Sequence, residues 1–284
     1  MNLPLILPYG LRSGILKKRT PKKMVSLRHG LTLGKKGVIS LVGAGGKTSL
    51  MFRLAHELSA SGETVLTTTT TKILRPTAEQ SSHLIISDSP AEILSRAGSI
   101  IKYSPHLSAI ANISSSTEKR IGLPSETIKI LWNSHLFRWI IVEADGAARR
   151  PLKAPALHEP VIPHCTSLVV GVLGLSALGK PLDDETVFRP ELVSKISGLE
   201  RGMDIVGDTL GALLTHRQGI FKGTPVAAQK IAFLNQADIP GLKEIGHGLI
   251  ESLVMKKGID LSRVIIGSTW RDPAVFEYQD INLL

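Results

Sequence analysis

The sequence predicts a three-layer α/β fold, a mostly parallel sheet with helices on both faces. Three observations lead there. From about Gly37 onward, short apolar runs rich in Val and Ile alternate with helical patterns. Aromatic residues make up 4% of a chain that is 43% hydrophobic, so its core must be aliphatic, as in parallel sheets buried on both faces. Glycines and polar residues gather where the apolar runs stop, which is where ligands sit in such sheets.

Taken in order, residues 1–36 carry nine of the chain's 34 basic residues, from Arg12 to Lys36, and none of its 24 acids. The net charge of +10 therefore belongs to a basic N-terminal extension, expected to be disordered, and the body is nearly neutral. Met24 is a second candidate start, and contact with phosphate or a membrane surface is an alternative use for the extension. A signal peptide does not fit, because the apolar LPLIL precedes the basic cluster. Residues 37–284 read as one α/β domain. VISLV (38–42) is a buried-strand signal, and Leu50, Met51, Leu54 and Leu58 share one face of a helix starting at about Lys47. TVLTTTTT (64–71), LIIS (84–87), WIIVEAD (139–145), SLVVGVLGL (167–175), KIAFLN (230–235) and RVIIG (263–267) are further strands, and SETIKILWNSHLF (125–137) is a helix. The Ser-rich region within 88–125 fits a small hairpin or a loop.

Several function classes fall away. No apolar run approaches the roughly 20 residues that span a bilayer. The single cysteine, Cys165, rules out an internal disulfide and suits a cytoplasmic protein. A near-neutral body with few aromatics argues against nucleic-acid binding. HEPVIPHC (158–165) lacks the spacing of a structural zinc site and reads as a loop.

The chemistry starts at GVISLVGAGGKTS (37–49). Gly46, Lys47 and Thr48 fit the phosphate-binding pattern G-x-x-x-x-G-K-[ST], but Leu41 stands where the leading glycine belongs. A shorter turn tolerates that change. Gly43, Ala44, Gly45 and Gly46 would turn the backbone tightly with N–H groups aimed at an anion, and the helix from Lys47 would bring its positive end to the same point. Lys47 is expected in a solvated cleft, reaching the outer phosphates, with Thr48 ligating Mg²⁺ and Ser49 beside it. The loop is similar to that of the Mur peptide ligases, with a glycine three residues before G-K-T, as Gly43 is here.

Such a metal needs a carboxylate partner, and strand 139–145 ends in two. Glu143 and Asp145, two apart, share one strand face, so one would hold Mg²⁺ and the other orient a nucleophile. Which does which stays open, and pairing with Arg149 or Arg150 is the structural alternative. Arg149 and Lys153, the latter stiffened between Pro151 and Pro155, add donors for phosphate oxygens. Arg189, before Pro190 at a helix start, would close over phosphate or serve in ordinary capping. Asn235 and Asp238 have the spacing of the guanine-reading N-K-x-D of GTPases, with Gln236 replacing the lysine. An Asx turn is the alternative there.

Together, VISLVGAGGKTSLMFRLA, the TTTTTK strand end, VEADGAARRPLKAP, DETVFRPELVSKISGL and FLNQAD resemble the YqeC family, the selenium-dependent hydroxylase accessory proteins. The resemblance implies a P-loop NTPase-like protein that binds ATP or GTP; read with the loop and strand-end acids, Mg²⁺ is its metal and Lys47, Glu143 and Asp145 are its expected catalytic groups. It also implies a role in maturing molybdenum hydroxylases, with such an enzyme or its cofactor as partner. Two other roles suit the same loop: phosphoryl or ligase-type transfer, and a non-enzymatic nucleotide-sensing chaperone or scaffold.

Overall fold

The computed structural model describes residues 25–113, 119–256 and 258–281. Nine strands form the main sheet: β1 (Gly37–Gly43), β2 (Val65–Thr69), β3 (Leu84–Ile86), β4 (His106–Ile110), β5 (Trp139–Glu143), β6 (Leu168–Gly174), β7 (Gln229–Asn235), β8 (Arg263–Gly267) and β9 (Val275–Asp280). Their spatial order is β9-β8-β7-β6-β1-β5-β2-β4-β3. Every pairing is parallel except β8 with β9. After β5 the chain crosses to the other side of β1 to build β6, so the order reverses at β1 and opens a crevice beyond its carboxyl end.

β1 is buried along its whole length, and its alternate side chains feed opposite layers. Ile39 and Leu41 pack with Leu50, Met51 and Leu54 of α2 (Lys47–Ala60), a face shared with α1 (Leu27–Gly30). Val38 and Val42 point the other way. There α3 (Pro90–Ile100) and α4 (Ser125–Asn133) cover one half of the sheet with Ile93, Ala97, Ile128 and Leu131. The other half lies under α5 (Pro190–Ser197), α6 (Gly207–Thr215) and α7 (Leu242–Met255), which contribute Val193, Leu210, Leu213, Leu249 and Leu253. The three-layer α/β architecture expected from the alternating pattern is the one that forms.

Two stretches depart from the sequence reading. Region 88–125 holds the expected small antiparallel pair, Asn112–Ile113 with Lys119–Ile121, which Ile73–Leu74 joins from outside it, but it also holds α3 and a main-sheet strand, β4. The strand is hard to see because His106 and Ser108 are polar, yet buried. The Thr67 hydroxyl meets His106 Nε2 at 3.0 Å and the Ser108 hydroxyl at 2.6 Å, and Thr68 donates to the Ala109 carbonyl at 2.7 Å. The run of threonines in β2 thus makes a polar neighbour strand affordable in the core. Ordered chain also starts before Gly37. Leu27 and Leu31 are fully buried, and the Glu57 carboxylate accepts the N–H groups of Leu27 and Arg28 at 3.0 and 2.9 Å. Their i, i+4 spacing under a basic stretch escapes a reading that weighs charge first. Residues 1–24, with the alternative start Met24, lie outside the described residues. Among those described, no helix is long and apolar enough to cross a membrane.

Candidate functional site

β1 runs on to Gly43, so Leu41 is a buried strand residue and only residues 44–46 make the turn into α2. That is the shorter loop the missing glycine demanded. The turn is pressed against neighbouring strand ends. A Cβ on Gly45 (φ 80°) would lie 2.3 Å from the Gly174 nitrogen, and one on Gly46 (φ 124°) 2.2 Å from Asn235 Nδ2. The N–H of Gly43 donates to Asp145 Oδ2, that of Ala44 to the Val172 carbonyl and that of Gly45 to the Arg150 carbonyl. Gly46 then begins α2 with no side-chain cap. The first-turn N–H groups, which no helix satisfies internally, are left facing a cavity lined by Gly45, Gly46, Lys47, Thr48 and Ser49.

Beneath that turn lies a chain of alternating charges. Lys47 is not in an open cleft: it is 3% exposed, its Nζ donates to the Gly43 carbonyl at 2.6 Å and lies 3.2 Å from Asp145 Oδ1 and 3.8 Å from Glu143 Oε1. The carbonyl and the two carboxylates satisfy the buried ammonium. The Thr48 hydroxyl donates to Glu143 Oε2 at 2.6 Å. Burial pushes the Glu143 carboxyl above the ordinary range, while Lys47 and the Thr48 hydrogen bond pull it back. Asp145 is fully buried, and its Oδ1 receives no hydrogen bond. Glu143 lines the cavity and Asp145 sits one layer deeper, a division their shared strand face does not reveal.

Residues 39–191, more than half of the chain, match the YqeC protein family. A protein of Escherichia coli (strain K12), "Uncharacterized protein YqeC", is similar at 37% identity over 206 residues, covering 70% of this chain and 75% of that one. The chain belongs to the YqeC family. The matched region takes in the loop, both carboxylates, Lys153 and Arg189, and Asn235 and Asp238 lie beyond it.

Within the YqeC region the charge chain continues inward. Lys153 is fully buried, with Gly146 O, Glu159 Oε2 and Asp145 Oδ2 at 2.6, 2.8 and 2.9 Å from its Nζ. These three oxygens occupy its ammonium, so it holds Asp145 in place and does not reach the cavity. Arg189, in the left-handed conformation (φ 64°) at the start of α5, pairs with Glu159 and stacks 4.3 Å from the Phe188 ring. It lies outside the cavity lining too. Burial alone would raise the Glu159 carboxyl, but hydrogen bonds from Arg189 and Lys153 outweigh it and hold it down at about 2. Glu159 is the buried hub that sequence reading missed. It sits in HEPVIPHC, where only its burial marks it out, and among the described residues no group of three or more His, Cys, Asp or Glu could hold a metal.

Asn235 is buried and ties strand to loop: its Nδ2 donates to the Gly45 carbonyl at 2.7 Å, and its Oδ1 accepts the Thr269 N–H at 3.0 Å. Asp238 lies 3.3 Å from Arg271 Nε, outside the lining, whereas Gln236 is part of it. Arg149, in a left-handed turn (φ 62°), is exposed at the cavity. The cavity encloses about 910 Å³. The residues present suit Mg²⁺, which binds proteins through one or two hard oxygens and leaves its other positions to water and phosphate. Thr48 Oγ1 and the Glu143 carboxylate would be those oxygens, with Asp145 behind them, its Oδ1 ion-paired to Lys47 at 3.2 Å.

Proposed function

We propose that this YqeC-family protein is a cytoplasmic, Mg²⁺-dependent NTP-binding and NTP-hydrolysing accessory factor in the maturation of selenium-dependent molybdenum hydroxylases. The hydroxylase assignment rests on the family resemblance. The nucleotide assignment rests on one observation: the uncapped start of α2 opens into a cavity beside Thr48 and Glu143, with Lys47 held in reserve on Asp145. The first-turn N–H groups would take the phosphate oxygens, and Lys47 would exchange the Gly43 carbonyl for them. Bound at Thr48 and Glu143, Mg²⁺ would draw off charge developing on the phosphates. Among the described residues Glu143 is the only acid lining the cavity, so holding the metal and orienting the attacking water both fall to it. Asp145, braced by Lys153, sets the position of Lys47. The basic cavity walls favour a second reading, transfer of a phosphoryl group to an acceptor.

Thermal unfolding with GTP and with ATP, each with and without Mg²⁺, tests the reading. The expected result is Mg²⁺-dependent stabilisation by both, without the guanine preference that N-Q-A-D suggests, because Asp238 lies outside the cavity lining and faces Arg271. No stabilisation by either nucleotide would overturn the nucleotide assignment.

A further inference from the structure

The cavity carries more positive charge than one nucleotide needs. Lys72 and Arg75 flank the short strand Ile73–Leu74 on the β2 side, Arg149 and Arg150 follow β5, and Lys180 follows β6. All five line the same space as the loop, and among the described residues none of them is in an ion pair. Lys47, by contrast, already faces two carboxylates. Cations around a concave space raise its potential and draw in anions, and Arg150 also acts on the Asp183 carboxyl, helping to lower it. The backbone supports a built feature. Ala148 and Arg149 hold left-handed conformations (φ 47° and 62°), which non-glycine residues keep where their surroundings require it.

The sheet order separates two anion positions. The loop follows β1, while Lys72 and Arg75 follow β2, two strands away across β5. The two groups of residues therefore approach the cavity from different strand ends. A triphosphate on the loop would have Lys47, the end of α2 and a metal to balance it. Lys72 and Arg75 would then face the part of the cavity that it leaves open, with Thr77 and Gln80 beside them.

We propose that the β2-side wall, through Lys72 and Arg75, binds the phosphate group of a second, phosphorylated small molecule held in the cavity together with the nucleotide. The proposal rests on the nucleotide reading of the loop. Arginine and lysine around one phosphate supply charge-assisted hydrogen bonds, the strong kind, and the doubled charge of a phosphate matches a pair of cations better than a single carboxylate does. Two ligands in one cavity would make this protein an enzyme or sensor that responds to both at once.

Calorimetry on the full chain tests the proposal. The protein is first saturated with Mg²⁺ and a non-hydrolysable GTP analogue, then titrated with inorganic pyrophosphate. The wild type is expected to bind pyrophosphate without losing nucleotide. The double variant Lys72→Ala/Arg75→Ala is expected to bind it at least about tenfold more weakly, with its nucleotide affinity unchanged. Both side chains are exposed, so the variant should fold, and an unchanged Tm confirms that. Three results overturn the proposal: no binding to the loaded wild type, displacement of the nucleotide by pyrophosphate, or weaker nucleotide binding by the double variant, which would give these cations to the nucleotide. Failure of the nucleotide reading looks different. In that case the nucleotide does not bind, and pyrophosphate binding to the unloaded protein still depends on Lys72 and Arg75 but not on Lys47.

Discussion

Two groups of cations a few strands apart have opposite environments. Lys47, Lys153 and Arg189 are drawn into a buried chain with Glu143, Asp145 and Glu159, each facing at least one carboxylate. Lys72, Arg75, Arg149, Arg150 and Lys180 line the cavity above with no ion pair among the described residues. The difference separates what holds the site from what the site can hold. A buried charge is tolerable only when paired, so the inner chain is committed to the protein's own acids and positions the loop. An exposed charge costs little to leave free, so the outer set remains available to a ligand.

Breaking the inner chain should have the largest effect. Lys153→Met leaves Asp145 and Glu159 buried without their shared partner, and removing one member of a buried pair costs about 3–5 kcal/mol. The expected outcome in a denaturant titration is a large drop in midpoint or failure to fold. Arg149→Ala, at an exposed position without an ion pair, should stay within about 0.5 kcal/mol of wild type. Equal effects of the two changes would erase the distinction between the two groups.

Lys47 belongs to the inner chain at rest and would serve the phosphates when they are bound. Lys47→Ala is therefore expected to weaken Mg²⁺-nucleotide binding about ten- to hundredfold by calorimetry, the value of a charge-assisted hydrogen bond. It should also lower Tm, because Asp145 and Glu143 lose a compensating charge. Unchanged affinity would confine Lys47 to structure.

A further effect of the inner chain is read through pH. The Glu159 carboxyl is held at about 2, below its ordinary 4.5, so it is a depressed acid. Its contribution to stability is present above about 4.5 and is lost as pH falls from there through 2. Glu159→Gln should lower Tm by a few degrees at neutral pH, and the gap to wild type should narrow steadily below pH 4.5. A gap that holds constant down to pH 2 would mean that the ionised carboxylate is not what Lys153 and Arg189 stabilise.

The sequence by itself determined the alternation of strand and helix, the sheet class, the turn at Gly43–Thr48 and the strand bearing Glu143. These are legible because periodicity and glycine spacing are local: a residue's neighbours in the chain decide its face and its backbone freedom. It also showed family membership, since the recurring motifs are contiguous. What lay beyond it were the partnerships. Strand β4 was hidden because its buried polar residues are satisfied by threonines some 40 positions earlier. Leu27 and Leu31 looked like part of a charged extension until α2 was there to bury them. Only the tertiary structure put Glu143 on the cavity wall and Asp145 beneath it, sent Lys153 and Arg189 inward to Glu159, and left the outer cations without ion pairs among the described residues. Ion pairing and burial depend on which distant segments meet, and sheet order, which no local pattern encodes, settles that.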